Sequence, residues 1–217
     1  MLLLKYLPTV REPRLYLGME RTYLSYIKFL FVAFGTGVLS EKLTLLFSVI
    51  HLDRLVPFFR DLYLLLTWPS LFLLCLVFFR FVSDLRYVDG GVAVTAKEIQ
   101  DPRIYLSAER TMLAWFRSGI AMIAFGFVIE KFDFFLDRLS FLLHVRVDMA
   151  HTFAGMDVVF VVLGMINLFL GGVGFGLTVQ QVDRGAYTPH KVLYLIYGSS
   201  LFAAIVVLSF LLLQVGA

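Results

Sequence analysis

The sequence predicts an all-α, polytopic membrane protein of five spans, arranged as two parallel repeats of two and three spans. Three observations carry that reading. The chain is 60% hydrophobic and only 16% charged, with 23 Phe among 217 residues and a mean hydropathy of +0.86; a soluble domain of this length needs far more polar surface. Five stretches, roughly 22–40, 62–82, 111–131, 156–179 and 191–214, are apolar and long enough to cross a hydrocarbon core of ~30 Å. The chain also repeats itself 89 residues apart. Glu12-Pro13-Arg14-Leu15-Tyr16-Leu17, then Glu20-Arg21-Thr22, returns as Asp101-Pro102-Arg103-Ile104-Tyr105-Leu106, then Glu109-Arg110-Thr111, and 11 of 32 aligned positions agree between 12–43 and 101–132.

Taken in order, the apolar part of the start, Met1 to Pro8, is too short for a signal peptide. Glu12 and Asp101 each precede a proline, a helix-start signature: the acid can cap free N–H groups, and Pro at the first position loses no hydrogen bond. The helix opened by Pro102 has no internal proline to about Phe132, roughly 45 Å, so its first turns lie among headgroups. After span one comes Leu52-Asp53-Arg54-Leu55, echoed after span three by Leu136-Asp137-Arg138-Leu139. Flanking Phe residues suit short helices in the outer interface or loops stiffened by packing; both remain open here. Asp84 to Gln100, with the turn signal Asp89-Gly90-Gly91, joins the repeats. The division is thus a first membrane repeat 1–83, a cytoplasmic linker 84–100 and a second membrane repeat 101–217. In span four, Gly172-x-x-x-Gly176, and in span five the Gly198/Ala203 region, predict close helix approach. Asn167 predicts an interhelical hydrogen bond, and Asp157 an answer to Arg146 or to a neighbouring subunit.

Of the 19 Lys and Arg, alternate sides of the five spans receive thirteen and six. The larger share falls on the side of the N-terminus, which places it inside and the C-terminus outside a cytoplasmic (inner) membrane of prokaryotic type. Spans one and three then run in the same direction, so the repeat axis lies along the membrane normal.

The repeated charges form stripes. Arg103, Arg110 and Arg117, like Arg14, Arg21 and Lys28, are spaced by seven, which returns to within about 20° of one helix direction. Positions three and four away offer no opposite charge to Arg117, Arg110 or Glu109, nor to Glu20, Arg21 or Lys28. An unpaired charge deep in lipid costs at least ~2–3 kcal/mol, so partners must lie off the helix. Three readings stand: snorkelling anchors to lipid phosphates, interhelical ion pairs, or a basic lining for an anion with Glu20 and Glu109 as counter-charges. In a homo-oligomer, Glu109 of one copy would meet Arg21 of its neighbour, and Glu20 would meet Arg110.

Other chemistry is sparse. Cys75 is the single cysteine and sits inside span two, which excludes disulfides and Cys-based metal sites. His144, Asp148 and His151 share a face if helical, but outer-surface polar residues at that spacing are common and no metal is assigned. No His-Glu-x-x-His, nucleophile elbow or phosphate-binding glycine loop occurs, so no enzyme and no cofactor is expected. The net charge of +3 reflects the topology bias and argues for no nucleic acid.

Asp101-Pro102-Arg103 through Glu109-Arg110-Thr111-x-Leu113-Ala114-Trp115-x-Arg117 resembles the signature of the YidH-like domain of unknown function 202. The resemblance covers about 101–217, with three spans as in that family. The first copy, Glu12 to Tyr26, is similar to the membrane domain of the vacuolar transporter chaperone complex, which makes and translocates polyphosphate. That resemblance implies subunits around a central pore, with Arg14, Glu20, Arg21, Arg103, Glu109 and Arg110 at the family's charged positions. Arg184 and Lys191 fall where the family also carries basic residues. The first copy lacks a third span, Lys28 stands where the bacterial pattern has Arg, and no polymerase or phosphate-sensing domain is attached. The expected function is a channel or transporter subunit for an anion, phosphate or polyphosphate by resemblance, in a lipid bilayer. The alternative is a non-conducting scaffold for a partner complex.

Overall fold

A computed structural model describes residues 10–95, 97, 101–143, 155–189 and 191–215. Five long helices make up nearly all of it: α1 (Pro13–Val49), α2 (Val56–Asp89), α3 (Pro102–Leu143), α4 (Met156–Asp183) and α5 (Lys191–Val215). All five are long and apolar enough to cross a membrane. Large side chains such as Phe29, Phe72, Phe79 and Phe169 face outward from the bundle, as suits a protein whose solvent is lipid. The chain is a multi-pass membrane protein. Two residues of β1 (Val10–Arg11) pair in parallel with β2 (Val92–Ala93), tying the approach to α1 to the segment that follows α2.

The helices outrun the sequence expectation at their ends. α1 continues to Val49 and stops in a Schellman turn: Leu52 N–H reaches Phe47 O (2.9 Å), with His51 at φ 58°. The same stop ends α4, where Ala186 N–H reaches Gln181 O (3.1 Å) and Gly185 takes φ 68°. α2 runs on through 84–89 before turning at Gly90, so the first part of the expected linker is helical. The outer connections are not separate interfacial helices. Leu52–Leu55 is a tight turn, and Leu136–Leu139 belongs to the uninterrupted α3. The two starts also differ: Asp101 caps α3 by accepting from Arg103 N–H (2.8 Å), whereas Glu12 makes no cap bond and holds Arg14 Nε instead (2.8 Å).

α1 and α3, the first helices of the two copies, lie side by side. Arg14 meets Asp101, Arg21 meets Ser107, Gly35 meets Phe125 and Lys42 meets Asp133. Partners advance together along both helices, so the helices run parallel. α4 packs antiparallel on α3 through small residues: Gly119 lies against Gly164, and Gly126 against the backbone of Asp157 and Val161. Gly172 and Gly176 face open space, so the expected close contact belongs to Gly164 and Gly171 instead. Gly198 does admit a neighbour, the ring of Phe78. Asn167 donates to Met122 Sδ (3.1 Å), the expected interhelical bond. The shared core centres on Phe31 and Phe34 of α1, Phe125 of α3 and Phe160 of α4.

These contacts set a clear test. Gly126→Leu would drive a side chain into backbone that cannot yield, and should cost at least about 1–3 kcal/mol. Gly172→Leu, equally apolar and only eight residues beyond Gly164, should leave the melting temperature in detergent unchanged.

Candidate functional site

The charges of the repeat gather at the end of the bundle where α1 and α3 begin, and the two copies use them differently. On α1 they are largely answered within the chain. Arg14 pairs with Glu12 (2.8 Å) and with Asp101 across the seam (3.0 Å). Arg21 donates to its own Leu17 O (3.2 Å) and to Ser107 Oγ on α3 (3.3 Å). Lys28 is half-buried, beside Phe31 of α1 and Ala121, Met122 and Phe125 of α3.

On α3 the same residue types point away from the chain. Arg103, Glu109, Arg110 and Arg117 are all exposed. Among the described residues none of their side chains has an ionic or hydrogen-bonding partner; only the Arg103 backbone N–H is engaged. Arg184 is exposed just past the end of α4. Lys191 opens α5, and its side chain lies outside the description, as do His144, Arg146, Asp148 and His151.

The sharpest divergence is between the two repeated glutamates. Glu20 turns into the bundle, where one carboxylate oxygen accepts from Trp115 Nε1–H of α3 and the other from Tyr194 O–H of α5 (3.2 Å). The expected pairing with a neighbour's Arg110 is therefore replaced by two neutral donors inside the chain. Trp115 is itself held edge-on by Tyr197, with centroids 4.7 Å apart. Beside them a cavity of about 20 Å³, walled by Leu17, Glu20, Thr111, Thr178 and Tyr194, has room for about one water. Tyr187, in the connection between α4 and α5, closes over Tyr16; burial, and then the Glu20 charge, pushes its phenol well above the usual range, so it stays protonated.

Sequence reasoning missed Trp115 and Tyr194 as partners of Glu20. Trp115 stood in the motif, but nothing in its spacing says that it crosses to the other copy. It also missed the cation at the opposite end. Lys42, whose side chain is 1% exposed, is bound by Asp133, with the charges of Asp157 and Asp137 close by. Glu41-Lys42 and Glu130-Lys131 repeat in sequence, yet Lys131 is exposed and, among the described residues, holds only its neighbour Glu130 (3.3 Å). Among the described residues, no group of three or more His, Cys, Asp or Glu is placed to hold a metal.

Residues 103–181 match a family model described as Domain of unknown function (DUF202). The match takes in the basic stripe of α3 and nearly all of α4, and excludes the first copy and α5. No curated protein and no solved structure matches the chain.

Proposed function

We propose that this chain is a subunit of a membrane channel or transporter that offers a basic-lined path to an anion, of phosphate or polyphosphate type by resemblance. The observation that carries the reading is the exposed stripe Arg103, Arg110 and Arg117, without partners among the described residues and descending into the apolar part of α3. Lipid tails cannot satisfy such charges at small cost; water and a passing anion can. At about 10 Å apart, seven residues at 1.5 Å, the three rungs offer successive sites instead of one deep trap. On this reading the first copy is a two-span version of the DUF202 domain, related to the polyphosphate-translocating membrane domain, and the chain acts as a homo-oligomer and not as an enzyme. The N-terminus lies inside and the C-terminus outside a cytoplasmic membrane.

Reconstituted protein tests the conduction. Reversal potentials in asymmetric salt should show anion preference, and Arg110→Glu/Arg117→Glu should shift it toward cations. An unchanged preference in the well-folded variant would exclude a pathway lined by these residues. The second reading, a non-conducting scaffold, is favoured by the size of the cavity beside Glu20, which admits about one water and no phosphate; it predicts no flux at all. For sidedness, Asp53→Cys and Gly90→Cys on a Cys75→Ser background should label from opposite faces, Gly90→Cys from the cytoplasm. Labelling of both from one face would overturn the topology.

A further inference from the structure

We infer that a second copy of this chain seats its α1 on the outward face of α3, repeating between copies the seam that α1 and α3 make within one. The inference rests on the homo-oligomer reading and is independent of conduction. The in-chain seam is built from unlike halves, α1 presenting one set of groups and α3 receiving them. Because the helices are copies at an offset of 89 residues, each contact has an image in which α3 takes the part of α1. The pair Arg14–Asp101 becomes Arg103 with the neighbouring copy's Glu12. Trp115 bonded to Glu20 becomes Tyr26 opposite Glu109, a phenol donor in place of an indole. Gly35 against Phe125 becomes Ala124 against Thr36, small on small, which lets two membrane helices approach closely.

A fourth image is half made already. The Thr111 hydroxyl lies 2.9 Å from its own Ser107 O and 3.2 Å from Leu17 O across the seam. Thr22, its counterpart, lies 2.9 Å from Gly18 O and, among the described residues, meets no second carbonyl; the image of that carbonyl is Leu106 O.

Every image position is open to a neighbour. On α3, Arg103, Leu106, Glu109 and Ala124 are all exposed, whereas Thr111 and Trp115, which serve the in-chain seam, are buried. On α1, Tyr26 is 46% exposed, and Glu12, Thr22 and Thr36 are each partly open. Thr22, Tyr26, exposed Phe29 and Thr36 follow one helix face. Lipid tails could cover the apolar part of these faces, but not a row of unmatched charges and hydrogen-bonding groups. The complementary row is carried by the chain itself. Such a contact is head-to-tail; with its axis along the membrane normal it keeps the copies in the membrane plane, and a rotation that divides a full turn closes them into a ring. It also sets Arg110 opposite Gly18, where the in-chain seam gives Arg21 the Ser107 hydroxyl. The seam between copies is therefore the one that keeps its arginine unanswered.

Cross-linking between differently tagged chains tests this, with Thr36→Cys in one and Ala124→Cys in the other, both on Cys75→Ser. Co-expressed in membranes and treated with a short thiol-to-thiol cross-linker, the mixture should give a dimer carrying both tags. Neither variant alone should dimerise, and a chain carrying both cysteines should give a ladder. Equal cross-linking of either variant with itself would overturn the seam in favour of a symmetric face. Absence of the mixed dimer in protein that native mass spectrometry finds oligomeric would overturn the seam and leave the homo-oligomer standing. A monomer would overturn both. Tyr26→Cys with Glu109→Cys, ten and fifteen residues nearer the helix starts, is read in the same way if the first pair lowers expression.

Discussion

Lys42→Met should lower the unfolding free energy by about 3–5 kcal/mol, the cost of leaving a buried ion pair half made. The Lys42 side chain is 1% exposed and Asp133, its partner on α3, is 30% exposed. Removing the ammonium leaves Asp133, with Asp137 and Asp157 nearby, as a group of like charges facing a low-dielectric seam. Asp133→Leu alone should be costly for the converse reason, a buried ammonium without its carboxylate. The double variant Lys42→Met/Asp133→Leu should recover much of the loss, since the interaction and both desolvation penalties disappear together. Denaturant titration in mixed micelles reads all three. Simple additivity would show that the two groups do not depend on each other.

Glu20→Ala and Glu109→Ala should differ sharply, although each removes the same glutamate from the same Glu-Arg-Thr motif. Glu20 accepts from Trp115 and Tyr194, so its loss strands two buried donors at ~1–3 kcal/mol each. It also enlarges a cavity already present between α1, α3, α4 and α5. A total of about 2–5 kcal/mol is expected, with a matching fall in melting temperature. Glu109 is exposed and touches no described polar group, so Glu109→Ala should stay within about 0.5 kcal/mol for the chain's own fold. Its effect should fall on self-association, because Glu109 belongs to the proposed seam. Trp115→Phe should reproduce part of the Glu20→Ala loss, and Tyr26→Phe none of it in the single chain. Equal destabilisation by the two Glu→Ala variants would mean that Glu20 is not held as described.

Much of the architecture was legible in the residues. Long apolar runs, the Glu/Asp-Pro starts and the 89-residue echo identify five helices and place the first helix of each copy. The helix ends were less legible. Leu136 to Leu139, with its flanking Phe residues, echoes the first outer connection and so reads as a separate interfacial piece, but nothing in it stops a helix, and α3 simply continues. Glycine spacing named the wrong faces of α4, because Gly172 and Gly176 satisfy the small-residue pattern while facing outward. The contact actually made depends on Gly119 and Gly126 of α3, which share one helix face at a spacing of seven but belong to no four-residue glycine pair.

The sequence by itself determined the class, the number of spans and the two matched rows of charge, because lipid permits few ways to place so many apolar residues and so few ionised ones. Only the tertiary structure decided what each row does. α1 lies between α2 and α3, so Glu20 meets an indole from the second copy and a phenol from α5, and Arg21 finds the Ser107 hydroxyl. α3 has no third copy beyond it in the chain, so Glu109 and Arg110, identical in motif, are left facing outward. A repeat of two units has one internal seam and two open faces, and it is that difference in neighbours, not in residues, that separates the buried glutamate from the exposed arginines.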